Sequence, residues 1–256
     1  MPPAPSPGPT FTPTPTPPPW EPLAPGISQR YVPVERPGAP GPSYLYALRI
    51  EPQYVTFRVH YDPQQPRSIE EWQAVTGASV VVNGGFFSGA NRPVGRIIVD
   101  GELFGAPLYP YRYGDDSVSI PGLFAVVDET VALYALGRST YNPRGLRFDQ
   151  AVESYPVLLL PGRQPSYPTE TGREARRTVI AMDEGGNVII LVSDLPLFSL
   201  YELARWLAAS DLGLDIALNL DGGRSSGLAV AVPGRSDLIP AYVPLPIVIA
   251  VYSRGG

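Results

Sequence analysis

The sequence of 256 residues has no cysteine, no lysine and one histidine. Without cysteine, the chain can form no disulfide, no thiol nucleophile and no thiolate-bound metal. The histidine, His60, lies inside the strand-like segment FRVHY with no partner motif beside it, so we expect it to be structural. These shortages exclude a serine–histidine triad and a histidine-rich metal centre.

Long apolar runs and clusters of positive charge are also missing. No stretch reaches the roughly 18 consecutive apolar residues that a membrane span needs. The net charge is −5, and charges of like sign do not form blocks. Because binding to a phosphate backbone needs a clustered basic surface, we expect a soluble protein that neither spans a membrane nor binds nucleic acid.

Residues 1–42 are rich in proline and threonine, with the run PTFTPTPTPPP at their centre. Such a composition favours extended, solvated conformations over a packed core. We predict a disordered stalk here, a spacer that tethers the protein to a cell surface, with a docking site for a proline-binding partner as the alternative. No charged and apolar leader follows Met1. We therefore expect that an export signal or anchor was removed and that the protein is extracellular or bound at the cell surface.

Residues 43–256 show short apolar runs separated by turn residues, such as YVTFRVHY, RTVIAMD and NVIILVS. These runs predict strands, several with the alternation of a sheet that has one wet face. Capping-box spacing predicts helices that begin at Ser68 and Ser199. The segment MDEGGNVII predicts a hairpin in which Gly185 and Gly186 supply positive φ. The predicted fold class is α+β, a single domain with a strongly twisted mixed or antiparallel sheet and few helices.

The segment DIALNLDGGRSSGLAV has a dense polar pattern. If residues 215–221 form a strand, Asn219 and Asp221 project together from one face. The bare backbone amides of the next loop would suit an oxyanion or a phosphate, and its arginine would add a charge-assisted contact. Taken alone, such a segment is also an ordinary turn. The loop residues are Gly222, Gly223, Arg224, Ser225 and Ser226.

In the segment SVVVNGGFFSGANRPVGRIIVDGE, an apolar run ends at Asn83 and opens into Gly84 and Gly85. A plain hairpin would resume a paired strand after about two to five residues. A longer loop follows here, and long loops tend to carry function. The pattern fits either a functional loop or a turn, and it makes Asn83 a candidate site residue.

Two further segments place charged side chains at strand ends. In GREARRTVIAMD, Arg177 would share a strand face with Val179, Ala181 and Asp183. Its planar fork matches a phosphate, although two arginines at a strand start are also commonly solvated or ion-paired. In AVESYPVLLLPG, Glu153 precedes an apolar strand and is a candidate acid or base.

Together these segments resemble the phosphodiester glycosidases, a family with many exported bacterial members. The resemblance spans roughly residues 44–254 and lies in VVNGGFF with VGRIIVDGE, AVESYPVLLLPG, RRTVIAMDEGGNVIILVSD, SLYELARWLAA and ALNLDGGRSSGLAV. It implies an α+β fold and hydrolysis of a sugar-1-phosphodiester between the anomeric carbon and the phosphate oxygen. The site residues that it implies are Asn83, Gly84, Gly85, Arg177, Asp221, Gly222 and Gly223. Arg224 departs from a frequent glycine of the family, and Glu153 also stands at a variable position.

This reaction must stabilise an oxocarbenium-like sugar and a departing phosphate. We assign Asp221 as the catalytic carboxylate, with Glu153 as the second candidate. Arg177 and the loop of residues 222–226 would bind the phosphate, and Asn83 would position the sugar or the carboxylate. The expected partner is a glycan or sugar phosphate of the cell envelope.

The sequence also fits two other functions, and it has carboxylates that could bind a structural calcium ion. A non-catalytic carbohydrate-binding or envelope module would suit the 15 tyrosines and the stalk. A phosphodiesterase that breaks the phosphorus–oxygen bond is the second alternative. No cofactor is required by this chemistry and no metal site is predicted for catalysis, but carboxylates such as Asp183, Asp194 and Asp221 leave room for a structural Ca²⁺.

Overall fold

The fold is taken from a computed structural model of the chain. The structure describes residues 19–35, 41–108, 111–113, 117–136 and 147–254. Its two α-helices are α1 (Ile69–Thr76) and α2 (Leu200–Ala209). The strands are β1 (Glu21–Ala24), β2 (Ile27–Val34), β3 (Ser43–Ile50), β4 (Val55–Tyr61), β5 (Val80–Asn83), β6 (Ile97–Val99), β7 (Glu102–Phe104), β8 (Tyr111–Tyr113), β9 (Ser117–Ser119), β10 (Gly122–Val127), β11 (Thr130–Ala135), β12 (Gln150–Ser154), β13 (Val157–Leu160), β14 (Gln164–Pro165), β15 (Thr178–Asp183), β16 (Val188–Ser193), β17 (Leu214–Asn219), β18 (Leu228–Val232), β19 (Arg235–Ile239) and β20 (Ile247–Ser253).

Three sheets and a two-stranded ribbon contain the described strands. The largest sheet has eight strands in the order β1-β2-β3-β16-β15-β17-β13-β14. A second has the order β11-β10-β12-β6-β7, and a third β19-β18-β5-β20-β4. Within the described chain every ladder between named strands is antiparallel. The predicted α+β class, one domain with much sheet and few helices, is confirmed.

The main core lies between the eight-stranded sheet and the other two sheets, which bury their facing side chains together. The opposite face of the large sheet is covered by α2 through Leu203, Ala204 and Leu207. Helix α1 covers the outer face of the third sheet with Ile69 and Trp72. Sheet faces that pack on both sides explain why many strands are apolar throughout rather than alternating.

Both helices begin where the sequence predicts. Ser68 and Ser199 each accept a hydrogen bond from the backbone amide of the residue three positions on, and the glutamate at that position binds back to the cap. A capping box satisfies amides that the first turn would leave unpaired. Among the described residues, neither helix is long and apolar enough to cross a membrane.

The strand-face predictions for the site are also confirmed. Ile216 and Leu218 face the main core, whereas Ala217 faces α2. The hairpin between β15 and β16 forms as predicted, with one difference. Gly186 has a φ of 81°, but Gly185 is not among the residues of positive φ.

The predicted disordered stalk is wrong for residues 21–34, which form β1 and β2. Strand β2 pairs along its whole length with β3, from Ile27 opposite Ile50 to Val34 opposite Ser43. Its side chains Ile27, Val32 and Val34 are buried. The alternating apolar residues of ISQRYVPV therefore find a core despite the proline-rich composition around them. Residues 1–18 and 36–40 of the predicted stalk lie outside the described residues.

Candidate active site

A cavity of about 280 Å³ opens at the edge of the large sheet where β17 ends and β15 begins. The ladder pairs Val179 with Asn219, and Leu220 donates to the carbonyl of Thr178 at 2.9 Å. This register brings Asp221 opposite Arg177. The cavity is lined by Phe86, Ser119, Tyr155, Pro156, Tyr167, Arg177, Leu200, Asn219, Asp221, Gly222 and Gly223.

Asp221 is the carboxylate of this cavity. Burial raises its pKa to about 6, although hydrogen bonds from Ser225 and from the amide of Gly222 act in the opposite direction. A buried carboxylate loses hydration, which penalises its charged form more than its neutral form. Its pKa lies in the range where a side chain can exchange a proton near neutral pH.

Arg177 supplies positive charge to the same cavity. Its Nε donates to the carbonyl of Phe198 at 3.1 Å, and its Nη2 to that of Arg173 at 2.9 Å. Burial is the main cause that lowers its pKa, yet arginine keeps its charge at neutral pH. Within the described part of the chain it forms no ion pair with a carboxylate, and Nη1 has no hydrogen-bond partner. A methyl group placed at Gly222 would lie 3.9 Å from Nη1, so this atom borders the Asp221 loop.

Two buried side-chain oxygens, each on a residue that lines the cavity, have no hydrogen-bond partner in the described structure. They are Oδ1 of Asn219 and Oγ of Ser119, whose residues are 2% and 3% exposed. The amide nitrogen of Asn219 is occupied, since it donates to the carbonyl of Tyr155 at 3.0 Å. A buried polar atom without a partner is costly, so these two atoms mark a place where a polar ligand would be stabilised.

An aromatic wall completes the cavity. The rings of Phe86 and Tyr155 stack with centroids 4.6 Å apart and an angle of 27° between their planes. Sequence reasoning missed Tyr155, Tyr167 and Ser119 as lining residues. The available signal was weak, because only the strand break before Pro156 hinted that the chain turns here.

Asn83 lies beneath the site and does not line the cavity. Its Nδ2 donates to the carbonyl of Asp221 at 2.7 Å. Its Oδ1 accepts from Oγ1 of Thr178 at 2.8 Å and from the amide of Gly227 at 3.1 Å. These bonds fasten β5, β15 and both ends of the Asp221 loop together, so the geometry makes Asn83 a positioning residue.

Gly84 and Gly85 are needed for close packing rather than for exposed amides. A Cβ at Gly84 would lie 2.5 Å from Cγ2 of Ile247, and one at Gly85 would lie 2.9 Å from the carbonyl oxygen of Glu153. The amide of Gly84 already donates to the carbonyl of Ile247 at 3.0 Å. Neither glycine lines the cavity, although the family resemblance implies both as site residues.

The loop after Asp221 also differs from the expected open cradle of amides. The amide of Gly223 donates to the carbonyl of Arg176 at 2.8 Å, and that of Ser225 donates to Gly222 at 3.2 Å. Arg224 is exposed, donates to the carbonyl of Tyr242 and does not line the cavity. These two amides already donate to backbone carbonyls, so they are not free to bind a phosphate. Ser226 is buried and also lies away from the cavity.

Glu153, the second candidate carboxylate, is fully buried in an ion pair. Its Oε2 accepts from Nε and from the amide of Arg96, at 2.8 and 3.0 Å. Its Oε1 accepts from the amide of Leu108 at 3.1 Å. It does not line the cavity of Asp221, and its bonds tie β12 to the end of the loop between β5 and β6 and to the segment after β7.

The carboxylates considered for calcium are separate. Asp183 accepts hydrogen bonds within its own hairpin, and Asp194 pairs with Arg176 at 3.5 Å. Across the described ranges no group of three or more histidine, aspartate or glutamate side chains is arranged to hold a metal.

Comparisons with known proteins identify the family and similar folds. A family model described as phosphodiester glycosidase matches residues 76–250. No curated protein is significantly similar in sequence.

Three solved structures have a similar fold. The catalytic domain of zebrafish N-acetylglucosamine-1-phosphodiester alpha-N-acetylglucosaminidase, auto-inhibited by its pro-peptide, is 17% identical, with a TM-score of 0.67 over 90% of this chain and 85% of that one. A hypothetical protein from Synechocystis is 19% identical, with a TM-score of 0.64 over 93% and 64%. A protein from Burkholderia pseudomallei described as exported is 14% identical, with a TM-score of 0.56 over 83% and 74%.

Proposed function

The chain belongs to the phosphodiester glycosidase family, and from this premise we propose that it hydrolyses the glycosidic bond of a sugar-1-phosphodiester. One observation carries the proposal. Asp221, with a pKa of about 6, and Arg177, a cation without a carboxylate partner in the described structure, face the same cavity. A substrate with a sugar on one side and a phosphate on the other needs both groups.

Arg177 would bind the phosphate. Two of its nitrogens are held by backbone carbonyls, which fixes the guanidinium and leaves Nη1 towards the cavity. A fixed cation stabilises the negative charge that grows on the phosphate oxygen as the bond breaks. Because that phosphate leaves as an anion, a separate general acid is not needed.

Asp221 would act on the anomeric carbon, either as the nucleophile or as the base that activates water. The bond between the anomeric carbon and the phosphate oxygen breaks, and its electron pair leaves with the phosphate. If Asp221 is the base, the oxygen of water forms the new bond to the sugar and the carboxylate accepts the proton that this water loses. If Asp221 is the nucleophile, its oxygen bonds to the anomeric carbon as the phosphate leaves; water then bonds to the sugar, breaks this ester bond, restores the carboxylate and gives its proton to solvent. Both roles need the ionised carboxylate, so activity should rise with pH through about 6.

The substrate proposed is a glycan or sugar phosphate of the cell envelope, met outside the cell. The proline-rich N-terminal sequence and the similarity to an exported protein support this location. We include β1 and β2 in the proposed catalytic domain, because they belong to the large sheet. The proposed tether is then limited to the residues before β1.

Turnover of sugar-1-phosphodiesters tests the proposal. The panel would contain p-nitrophenyl-phospho-N-acetylglucosamine, because the zebrafish relative is named for that sugar, together with UDP-sugars. We expect free sugar from the wild type and none from Asp221→Asn. Asp215→Asn is the matched control, since Asp215 lies on β17, the strand that leads to Asp221, binds the amide of Gly162 and does not line the cavity.

Hydrolysis in ¹⁸O-labelled water distinguishes the bond that is cleaved. We expect the label in the sugar. Label in the phosphate would identify the protein as an ordinary phosphodiesterase. A folded wild type that binds sugars but turns over nothing in the panel would favour a binding module.

A further inference from the structure

The polar groups that line the cavity differ in what they offer a ligand. Arg177 offers only donors, because a guanidinium has no lone pair to accept with. Asn219 offers an acceptor, and its orientation is fixed by its partner. The carbonyl of Tyr155 can only accept, so the atom of Asn219 that lies 3.0 Å from it must be nitrogen. The unpaired atom is therefore the oxygen.

An unpaired carbonyl oxygen does not suit the phosphate of a diester, whose oxygens carry no proton to donate. Phosphate oxygens are acceptors, and two acceptors facing each other in a buried cavity repel. The oxygen of Asn219 needs a hydroxyl or an amide N–H from the ligand. Ser119 adds a second unpaired group to the same wall, and its hydroxyl can both donate and accept.

Backbone bonds place Asn219 and Ser119 on either side of one short segment. The amide of Asn219 donates to the carbonyl of Pro156 at 3.0 Å. On the other side, the amide of Val157 donates to the carbonyl of Ile120, the residue after Ser119, at 2.7 Å. The two side chains therefore reach the cavity from two different strands that are fixed to a common support.

We infer that Asn219 and Ser119 are the specificity-determining residues that read hydrogen-bonding groups of the sugar, and that the substrate lies with its phosphate at Arg177. This inference rests on the proposed function for its ligand class, a sugar phosphate. A site built to hydrogen-bond a substrate rejects an analogue that lacks the group, since its own buried polar atoms are then left unpaired. Deoxy sugars should therefore be discriminated strongly.

Equilibrium binding tests the inference without requiring turnover. The probes are hexose 1-phosphates of glucose, galactose, mannose and N-acetylglucosamine, the monodeoxy analogues of the tightest binder, and inorganic phosphate. We expect at least one deoxy analogue to bind the wild type about tenfold more weakly than its parent, the effect of one hydrogen bond. In Ser119→Ala or Asn219→Ala, the affinities for the parent sugar phosphate and for one deoxy analogue should differ by no more than about twofold. The reason is that the substitution and the missing hydroxyl remove the same hydrogen bond.

Inorganic phosphate provides the opposite readout. Its affinity should stay within about twofold in both variants and fall at least tenfold in Arg177→Ala. Ser154→Ala is the matched control, because its buried hydroxyl also has no partner in the described structure but lies away from the cavity. We expect that control to keep the full discrimination between parent and deoxy sugars.

Three results would overturn the inference. In the first, the wild type binds no hexose phosphate. In the second, it binds the parent and all deoxy analogues with equal affinity. In the third, Ser119→Ala loses as much affinity for inorganic phosphate as for the sugar phosphate. If Asn219→Ala fails to fold, the measurements on Ser119→Ala still test the inference. Discrimination without turnover of any diester would contradict the proposed function and leave the inference standing.

Discussion

Two loops of the large sheet each begin with an aspartate and contain a Gly-Gly pair, yet their chemistry differs. The hairpin loop runs Asp183-Glu184-Gly185-Gly186, and the site loop runs Asp221-Gly222-Gly223-Arg224. Asp183 accepts from the amides of its own hairpin, at 2.9 Å from Gly185 and 2.8 Å from Asn187. Asp221 lies on a cavity with a pKa raised by burial. An aspartate before glycines is therefore not itself a site, and its surroundings decide its chemistry.

The largest expected difference between the loops is in turnover. Asp221→Asn should lower kcat by roughly 10³-fold or more, because it removes the proposed nucleophile or base. Asp183→Asn should change kcat by less than about twofold once the folded fraction is corrected for, since its carboxylate binds its own hairpin and Arg49 and does not line the cavity. Steady-state kinetics on the best substrate of the panel measures both. Equal losses in the two variants would contradict the comparison.

The second difference is in the pH dependence of stability. The folded pKa of Asp221 is about 6 against an ordinary 3.8, so the folded state binds a proton that the unfolded state has lost between these values. This contribution to stability is complete below pH 4 and is lost as pH rises to 6, by about 3 kcal/mol. Asp221→Asn should remove this decline, whereas Asp183→Asn should keep it. Urea unfolding of the three proteins at pH 4 and pH 7.5 measures the change.

The third difference concerns what holds each loop. The site loop is fastened from another strand by Asn83, which is 1% exposed and binds Thr178, Asp221 and Gly227. Asn83→Ala leaves several of these groups unpaired and should lower the free energy of unfolding by roughly 3 kcal/mol. Asn187→Ala removes bonds within the exposed hairpin and should cost about 1 kcal/mol.

Chemical denaturation at neutral pH gives both values. An Asn83→Ala variant no less stable than Asn187→Ala would show that the site loop holds itself. Phosphate binding to folded Asn83→Ala should also weaken, because the Asp221 loop that borders Arg177 loses its fastening.

The smallest expected effect is that of alanine at one glycine in each loop. The two substitutions should lower stability equally, and only the one in the site loop should lower activity. Gly186 and Gly223 have φ of 81° and 61°, and neither would bring a Cβ within 4 Å of another group. Alanine at either position should therefore cost about 1 kcal/mol through backbone strain alone. Only Gly223→Ala should also lower kcat/KM, since Gly223 lines the cavity. Thermal unfolding and kinetics of the pair test this, and an activity loss in Gly186→Ala would count against it.

Much of the fold is readable from local sequence. The capping boxes at Ser68 and Ser199 fix both helix starts, because their hydrogen bonds join residues three apart. Alternation predicts that Asn219 and Asp221 project together; β17 ends at Asn219, and both residues line the cavity. Composition was a poorer guide than alternation at residues 21–34, where a proline-rich context concealed two strands.

The candidate site was predicted only in part. Asp221, Arg177 and Asn219 line one cavity as proposed, and Gly222 and Gly223 line it as well. Glu153 has a strand-end pattern similar to that of Asp221, but it is held in an ion pair by Arg96, 57 residues away in the chain. Ser119 has no sequence signal, since it is brought to the cavity by the backbone bond between Ile120 and Val157, which are far apart in the chain.

The sequence by itself determined the elements, the faces of the site strands and membership of the family, because these depend on patterns within a few residues or on motifs in a fixed order. Tertiary structure decided which aspartate is titrated near neutral pH, which asparagine fastens the loop and which polar atoms remain unpaired. The physical reason is that burial and hydrogen-bond partners come from distant residues, as the bond from the amide of Gly227 to Asn83 shows across 144 positions of sequence.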